Sequence, residues 1–202
     1  MQTEREKIPC HAKGAFRKDG MSPVAGDVVT IRRETGENKE SELTEARGLI
    51  EMIEARKNVL IRPPLANLDT LFLVSSVKDP VPVLLSLDKM LSIARHNGIQ
   101  AVLVFTKKEL DPCGAEELVA LYRKAGFDAV SVTQGEPEET RNAIYPLIRG
   151  TVCAAAGASG VGKSTLINTL FPFLNTETGS ISQKIAAESI RPDKAHFTIF
   201  PP

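Results

Sequence analysis

The stretch that most constrains the fold of this chain is the run of eight residues from Gly157 to Ser164. It reads Gly-Ala-Ser-Gly-Val-Gly-Lys-Ser and fits the pattern G-x-x-x-x-G-K-[ST]. An apolar run, Val152–Ala156, precedes it, and a helically periodic stretch, Thr165–Phe171, follows it. Because this pattern binds phosphate only between a strand and a helix, the flanking residues argue against an incidental glycine-rich turn. We therefore predict a phosphate-binding loop.

Each residue type in the loop has a chemical reason. Glycines allow a tight turn that points backbone N–H groups at phosphate oxygens. Lys163 would reach the β- and γ-phosphates, the Ser164 hydroxyl would bind Mg²⁺, and the helix beginning near Lys163 would add the positive end of its dipole. The predicted phosphate-binding residues are Gly157, Ala158, Ser159, Gly160, Val161, Gly162, Lys163, Ser164 and Thr165. Such a loop recognises the phosphate tail and leaves ATP and GTP as open alternatives.

Residues 65–202 alternate short apolar runs with amphipathic, helically periodic stretches. The predicted strands are Thr70–Ser75, Ile99–Phe105, Ala129–Val132 and Thr151–Ala156. The predicted helices are Leu84–His96, Ala115–Ala125 and Glu138–Ile148. This alternation predicts an α/β fold, a doubly wound parallel sheet with helices on both faces.

Residues 1–64 have a different pattern. They contain three short apolar runs with partial alternation, Ala12–Arg17, Val28–Arg33 and Leu49–Ala55. Turn-rich and polar segments separate these runs, which indicates a small β domain, and the polar segment Thr35–Glu42 is interpreted as an exposed hairpin loop. Pro63 and Pro64 restrict the backbone, and we place the boundary between a first domain, 1–64, and a second, 65–202, at this point.

Composition narrows the class of protein. The formal net charge is zero, so composition alone gives no support for nucleic-acid binding. The three cysteines, Cys10, Cys113 and Cys153, are far apart, as is typical of a reducing compartment rather than a disulfide framework or zinc site. No apolar run approaches the roughly 20 residues of a membrane-spanning helix. We expect a cytoplasmic monomer with no membrane partner.

Four stretches together resemble one family. They are Gly14-x-Phe16-Arg17-Lys18, Val24-x-Gly26-Asp27-x-Val29, Arg56-Lys57-Asn58-x-Leu60-x-Arg62-Pro63-Pro64-x-Ala66-Asn67-x-Asp69, and the phosphate loop with the following Thr165-Leu166-Ile167-Asn168. The chain resembles the ribosome small subunit-dependent GTPase A family, circularly permuted GTPases that act in late assembly of the bacterial small ribosomal subunit. The resemblance covers most of residues 12–184.

The resemblance implies a ligand and an order of parts. The base-reading turn would be Thr106-Lys107-Lys108-Glu109, which precedes the phosphate loop as in the permuted family and follows a predicted strand, where open α/β sheets bind ligands. Ser131 would belong to a second base-contacting loop. The implied ligands are GTP or GDP with Mg²⁺, and in GTP hydrolysis Lys163 would be the catalytic residue that stabilises charge on the transferred phosphoryl group.

The resemblance also implies that the first domain is part of an oligonucleotide/oligosaccharide-binding (OB) β-barrel. In the family this domain contacts ribosomal RNA, so the implied partners are the small ribosomal subunit and its RNA. The candidate contacts to RNA phosphates are Arg17, Lys18, Arg56 and Arg62.

The chain departs from the family pattern in several places. The family's Asn-Lys-x-Asp is here Thr106-Lys107-Lys108-Glu109, which predicts a weaker guanine preference. No switch segment is recognisable in Ile185–Pro202, where His196 is interpreted as a plain loop residue; from Asn175 onward we expect a mobile loop. No Asp-x-x-Gly follows the phosphate loop, and the ligands of the zinc expected in the family are absent.

These departures predict a truncated chain with an incomplete GTPase domain and leave three hypotheses. The first is a ribosome-associated GTPase, an enzyme. The second is a nucleotide- or RNA-binding remnant without efficient GTP hydrolysis, which the altered base-reading turn favours. A third is a P-loop ATPase, which ATP binding as tight as GTP binding would support.

Overall fold

The computed structural model describes residues 8–14, 16, 21–33, 48–148 and 150–172, together with the backbone of 196–199. The chain divides into two units, Met1–Asn67 and Leu68–Pro202. This boundary lies slightly beyond the predicted one after Pro64. The reason is that Leu65–Ala66 pairs with Val59–Leu60 inside the first unit. The predicted hairpin loop Thr35–Glu42 lies outside the described residues.

The first unit contains two small sheets. One is built from β1 (Cys10–Ala12), β2 (Val29–Arg33) and β3 (Gly48–Ile53), in the order β1-β3-β2. The other is the antiparallel hairpin of β4 (Val59–Leu60) and β5 (Leu65–Ala66). Of the described residues in the apolar run Ala12–Arg17, only Ala12 lies in a strand, and after it the Phe16 N–H turns back to the Lys13 carbonyl, 3.1 Å away.

An ion pair holds the interior of the first unit together. The Asp27 carboxylate, whose side chain is only 2% exposed, accepts from Arg56 Nε at 2.7 Å and from Arg56 Nη2 at 2.8 Å. The Val24 backbone N–H donates to the same carboxylate at 2.8 Å, and Arg56 also donates to the Ser22 carbonyl. The ion pair raises the pKa of Arg56, chiefly through its hydrogen bond to Asp27.

A second contact joins the same two segments through Asn67. This residue has φ +59°, and its side chain donates to the Gly26 carbonyl and accepts from the Lys57 N–H. At Gly26 a Cβ would lie 2.2 Å from the Ala66 carbonyl oxygen, so only glycine permits this approach. Two of the stretches that resemble the family, those beginning at Val24 and at Arg56, are therefore packed against each other.

The second unit is a five-stranded parallel sheet in the order β10-β9-β6-β7-β8. Its strands are β6 (Thr70–Ser76), β7 (Gln100–Thr106), β8 (Asp128–Ser131), β9 (Val152–Ala156) and β10 (His196–Ile199). Its helices are α1 (Leu84–His96), α2 (Pro112–Lys124), α3 (Pro137–Ile148) and α4 (Lys163–Leu170), with a 3-10 turn at Lys108–Leu110.

Helices cover both faces of this sheet. On one face, Phe72 and Val74 of β6 belong to a buried cluster with Ile144 of α3 and Ile167 of α4. Alternate residues of a strand point to opposite faces, and on the other face α1 and α2 pack against the sheet, with the Phe105 ring 5.9 Å from that of Tyr122. The predicted α/β, doubly wound fold is confirmed.

Two elements of the second unit differ from their predictions by more than one residue at an end. Helix α2 begins at Pro112 rather than Ala115, because the Asp111 side chain caps it by accepting from the Gly114 N–H at 3.0 Å. The interpretation of His196 as a loop residue was wrong, since it begins β10, which pairs in parallel with β9. Four residues are too few for a reliable periodic signal, and only pairing with β9 identifies this strand.

Candidate nucleotide-binding site

Four loops meet at one edge of the parallel sheet. They follow the carboxyl ends of β6, β7, β8 and β9. The chain passes from β8, at one end of the sheet, back to β9 on the far side of β6, so the strand order reverses between β6 and β9. Ligands of open α/β sheets bind at this kind of position, and the loop after β9 is the predicted phosphate loop.

The backbone of the phosphate loop requires its glycines. A Cβ on Gly157 would lie 2.1 Å from the Val74 carbonyl oxygen of β6, closer than any real contact. Gly160 and Gly162 have φ values of +77° and +88°, which favour glycine. All nine predicted phosphate-binding residues lie on this loop or in the first turn of α4, where a helix N-terminus favours an anion.

Lys163 is folded over this loop. Its ammonium group donates to the carbonyls of Gly157, at 2.8 Å, and Ala158, at 2.6 Å. Burial lowers its pKa. Ser164 and Thr165 follow it in the first turn of α4, both half-buried.

The base-reading turn predicted at 106–109 is bonded to the phosphate loop. The Thr106 side chain is buried, and its hydroxyl donates to the Val161 carbonyl at 2.5 Å. The same hydroxyl lies 3.3 Å from the Ser75 carbonyl of β6. The sequence showed Thr106 only as a poor replacement for asparagine. The feature that could have indicated this role of Thr106 was its position, at the end of a buried strand next to the predicted phosphate loop.

A cleft of about 420 Å³, measured with its open mouth, lies between this turn, the β8–α3 loop and α4. The residues that line it are Thr106, Lys107, Val132, Thr133, Gln134, Gly135, Glu136, Pro137, Thr140, Gly162, Thr165, Leu166 and Thr169. Of the four candidate base-binding residues, the structure brings Thr106 and Lys107 to this cleft. Ser131 is the last residue of β8, and the lining begins one residue later, at Val132. The fourth candidate, Glu109, is not among the described residues that line the cleft.

The other side chains of the turn reach different elements. Lys107 has φ +58° and donates to the Asp79 carbonyl in the β6–α1 loop. The Glu109 carboxylate accepts from the Gln134 N–H at 3.0 Å, and Lys108 lies 3.5 Å from Glu139 of α3. The turn therefore contacts the phosphate loop, the β6–α1 loop, the β8–α3 loop and helix α3.

The candidate RNA contacts have different environments. The Arg56 guanidinium is paired with Asp27 inside the first unit, which gives it a structural role. Arg62 is exposed in the β4–β5 turn and makes no hydrogen bond or ion pair within the part of the chain that the structure describes. Arg17 and Lys18 lie outside the described residues. Arg32, another cation of the first unit, lies 3.5 Å from Glu51 on the three-stranded sheet.

Metal clusters and membrane-spanning helices are both absent from the described residues. No group of three or more His, Cys, Asp or Glu side chains in them is placed to hold a metal ion. Within those same ranges, every helix is too short or too polar to span a bilayer.

Comparison with known proteins agrees with this geometry. The sequence profile of the RsgA GTPase matches residues 53–187, and that of the RsgA N-terminal domain matches residues 1–40. The chain belongs to the RsgA GTPase family. The family resemblance inferred from the sequence motifs is thus confirmed, and residues 1–40 of the first unit match the OB-like N-terminal domain of the RsgA family.

Two relatives illustrate the similarity. The small ribosomal subunit biogenesis GTPase RsgA of Alkaliphilus metalliredigens is 35% identical over 187 residues, which are 92% of this chain and 61% of the relative. The protein of the same name from Carboxydothermus hydrogenoformans is 38% identical over 176 residues, 87% of this chain and 58% of the relative. The chain thus spans about 60% of the length of the RsgA proteins it matches.

Solved structures show the same fold. YjeQ from Thermotoga maritima superposes with a TM-score of 0.72 at 26% identity, covering 97% of this chain and 67% of YjeQ. YloQ, described as a circularly permuted GTPase, gives a TM-score of 0.64 at 29% identity over 96% of this chain and 62% of YloQ. In this RsgA-family chain the turn after β7 likewise precedes the phosphate loop after β9, so the predicted permuted fold is confirmed.

Proposed function

We propose that this chain binds GTP and hydrolyses it, and that it assists late maturation of the small ribosomal subunit. The observation that carries the proposal is the phosphate loop 157–162 lying directly beside the cleft, with Thr106 bonded to the loop and lining the cleft. A nucleotide whose phosphates lie on the loop would place its base in the cleft. The names of the RsgA relatives support both the ligand and the ribosomal partner.

The phosphates are held by backbone N–H groups of the loop, by the dipole of α4 and by the Lys163 ammonium. Lys163 would exchange its bonds to the carbonyls of Gly157 and Ala158 for bonds to phosphate oxygens, and so stabilise charge on the transferred phosphoryl group. Ser164 fits a Mg²⁺ site, because Mg²⁺ takes few protein ligands and completes its shell with water and phosphate oxygens. When bound, Mg²⁺ offsets the negative charge of the phosphates.

The base would occupy the cleft between Lys107 and the β8–α3 loop. We propose guanine as the base, with GTP and GDP as the ligands, and include the loop after Ser131 among its contacts. The altered turn predicts that the preference for guanine over adenine is weaker than a turn with Asn and Asp would give.

Ribosomal RNA is the proposed partner of the first unit. Arg62 supports this proposal, since it presents an exposed cation in the β4–β5 turn, and Arg17 and Lys18 remain candidates by resemblance alone. Arg56 is removed from the candidates because Asp27 neutralises it. We further propose that the chain acts as a monomer in the cytoplasm.

Titration with a fluorescent GDP analogue in Mg²⁺, competed by unlabelled GTP, ATP and ADP, tests the ligand. Lys163→Ala should abolish micromolar binding, because it removes a half-buried cation from the loop. Lys124→Ala is the matched control, since Lys124 is exposed at the C-terminal end of α2 and should leave binding unchanged. No binding by the wild type, or equal binding by Lys163→Ala, contradicts the proposal.

Single-turnover hydrolysis of GTP then distinguishes the enzyme from its alternative. Phosphate release that Lys163→Ala abolishes supports the GTPase. Guanine-selective binding without phosphate release would replace it with a nucleotide-binding protein that lacks efficient turnover. ATP binding as tight as GTP binding would favour the P-loop ATPase.

A further inference from the structure

The four side chains of the turn 106–109 each bond to a different part of the second unit. Thr106 donates to the phosphate loop, Lys107 to the β6–α1 loop, and Lys108 to Glu139 of α3. Glu109 accepts from the β8–α3 loop. The turn thus connects the loops around the candidate site, and the role of each of its residues can be inferred from the group it contacts.

Glu109 is the residue whose contact differs most from that of a base-reading group. Its carboxylate Oε2 lies 3.0 Å from the backbone nitrogen of Gln134, and this is its one polar contact among the described residues. Glu109 is exposed, and it is not among the described residues that line the cleft. A carboxylate that reads a base edge would have to face into the cleft.

The residue at the other end of this bond belongs to the cleft wall. Gln134 lies between Thr133 and Gly135, which also line the cleft, and Gly135 has φ +92°. No helix or strand includes residues 133–135. Backbone bonds to Phe105 and Lys108 fix Val132 at the start of the wall, whereas beyond it the Glu136 N–H lies 3.4 Å from the Thr133 carbonyl, a long bond. A carboxylate bonded to a backbone N–H makes a charge-assisted hydrogen bond, which is roughly twice as strong as a neutral one.

We propose that Glu109 is a positioning residue that holds the wall 132–135 of the cleft, and that its charge does not select the nucleobase. The additional methylene of glutamate, compared with aspartate, gives the carboxylate the reach to the Gln134 N–H. This inference rests on the proposed nucleotide site. It assigns base selectivity to the groups that line the cleft and removes it from the turn's only carboxylate.

Glu109→Gln and Glu109→Ala separate the two roles. The glutamine amide oxygen can still accept from the Gln134 N–H, whereas alanine cannot. Hydrogen exchange of the Gln134 amide in the nucleotide-free protein should accelerate about tenfold in Glu109→Ala, as expected for the loss of one charge-assisted bond, and only about threefold in Glu109→Gln, which keeps a neutral acceptor. An unchanged exchange rate in Glu109→Ala would overturn the proposal whether or not nucleotide binds.

Base selectivity is measured with GDP, ADP and xanthosine diphosphate (XDP), which has an oxygen in place of the 2-amino group of guanine. Glu109→Gln should keep the wild-type ratio of GDP to XDP affinity within about twofold, and Glu109→Ala should weaken all three nucleotides by a similar factor of about tenfold. Glu138→Gln, an exposed residue of α3, controls for the loss of charge.

The opposite result has a clear signature. If Glu109 reads the base, an amide at this position would donate to the xanthine oxygen and repel the guanine amino group. A shift of about tenfold or more toward XDP in Glu109→Gln would therefore overturn the inference while leaving the nucleotide-binding function intact. Failure of the wild type to bind any of the three would contradict the proposed function, and hydrogen exchange of the Gln134 amide would still test the bond to Glu109.

Discussion

Thr106 and Val161 are 55 residues apart in the chain, yet the Thr106 hydroxyl lies 2.5 Å from the Val161 carbonyl oxygen. Thr106 ends β7, and Val161 lies in the phosphate loop after β9, with β6 between the two strands. The bond therefore joins the loop that would hold the phosphates to the turn that would lie beside the base. A side chain with no hydroxyl at this position would remove this bond.

Thr106→Val tests this bond. The substitution keeps the shape of the buried side chain and removes its donor, so the Val161 carbonyl loses this partner. We expect the free energy of unfolding to fall by about 1–2 kcal/mol and the GDP affinity to fall about fivefold. Chemical denaturation and the GDP titration measure these changes. Thr106→Ser keeps the hydroxyl and should stay near the wild type; equal losses in both variants would show that packing, rather than the bond, is responsible.

Gly157→Ala tests the close approach of the phosphate loop to β6. The new Cβ would lie 2.1 Å from the Val74 carbonyl oxygen, so the loop must move. We expect GDP binding to be lost and the free energy of unfolding to fall by at least about 3 kcal/mol, the range of severe core substitutions. Gly98→Ala is the control, because Gly98 has φ +66° but nothing within 4 Å of a Cβ. Gly98→Ala should lower the free energy of unfolding by about 1–2 kcal/mol and leave GDP binding unchanged.

Arg56→Ala tests the ion pair of the first unit. It would leave the Asp27 carboxylate, 2% exposed, without its cation. We expect a loss of about 3 kcal/mol in the stability of this unit, and a smaller loss in the double variant Asp27→Ala/Arg56→Ala. Hydrogen exchange of the β3 and β4 amides reports on the unit separately. The exposed Arg62→Ala should stay within about 0.5 kcal/mol of the wild type, and a loss as large as that of Arg56→Ala would contradict the assignment.

Stability should decrease at alkaline pH because two groups ionise at a higher pH in the folded protein than in the unfolded one. Burial raises the pKa of Cys153 to about 11, and burial together with the 2.9 Å bond to Asp88 raises that of Tyr122 to about 12. Their stabilising contributions are complete below the unfolded pKa values of about 9 and 10 and are lost as pH rises to the folded ones.

The measurement is the free energy of unfolding against pH from 8 to about 12. Each group should contribute a loss of a few kcal/mol at most. Cys153→Ala should flatten the curve between about pH 9 and 11, and Tyr122→Phe between about pH 10 and 12. Curves of the same shape in all three proteins would mean that neither shift is present.

Much of the fold and of the phosphate site could be predicted from the sequence. The run Gly157–Ser164 can be recognised from adjacent residues alone, because glycine conformations and the start of a following helix depend on near neighbours. The same is true of Leu84–His96, whose apolar spacing predicted α1 with its observed ends. Local patterns of this kind also carried the family resemblance, which the sequence profiles confirm.

The roles of individual polar side chains could not be read in this way. The sequence presented Arg56 as a cation available for RNA, Thr106 as a poor asparagine and His196 as a loop residue. Distant partners decide these roles: Asp27, Val161 and Val152 of β9, which lie 29, 55 and 44 residues away along the chain.

The sequence by itself therefore determined the order of strands and helices from β6 to α4 and the position of the predicted phosphate loop. Only the tertiary structure decided which partner each charge and hydroxyl receives. The physical reason is that backbone conformation and apolar periodicity depend on near neighbours, whereas a hydrogen bond or ion pair depends on atoms that the fold brings to within about 3 Å from distant parts of the chain.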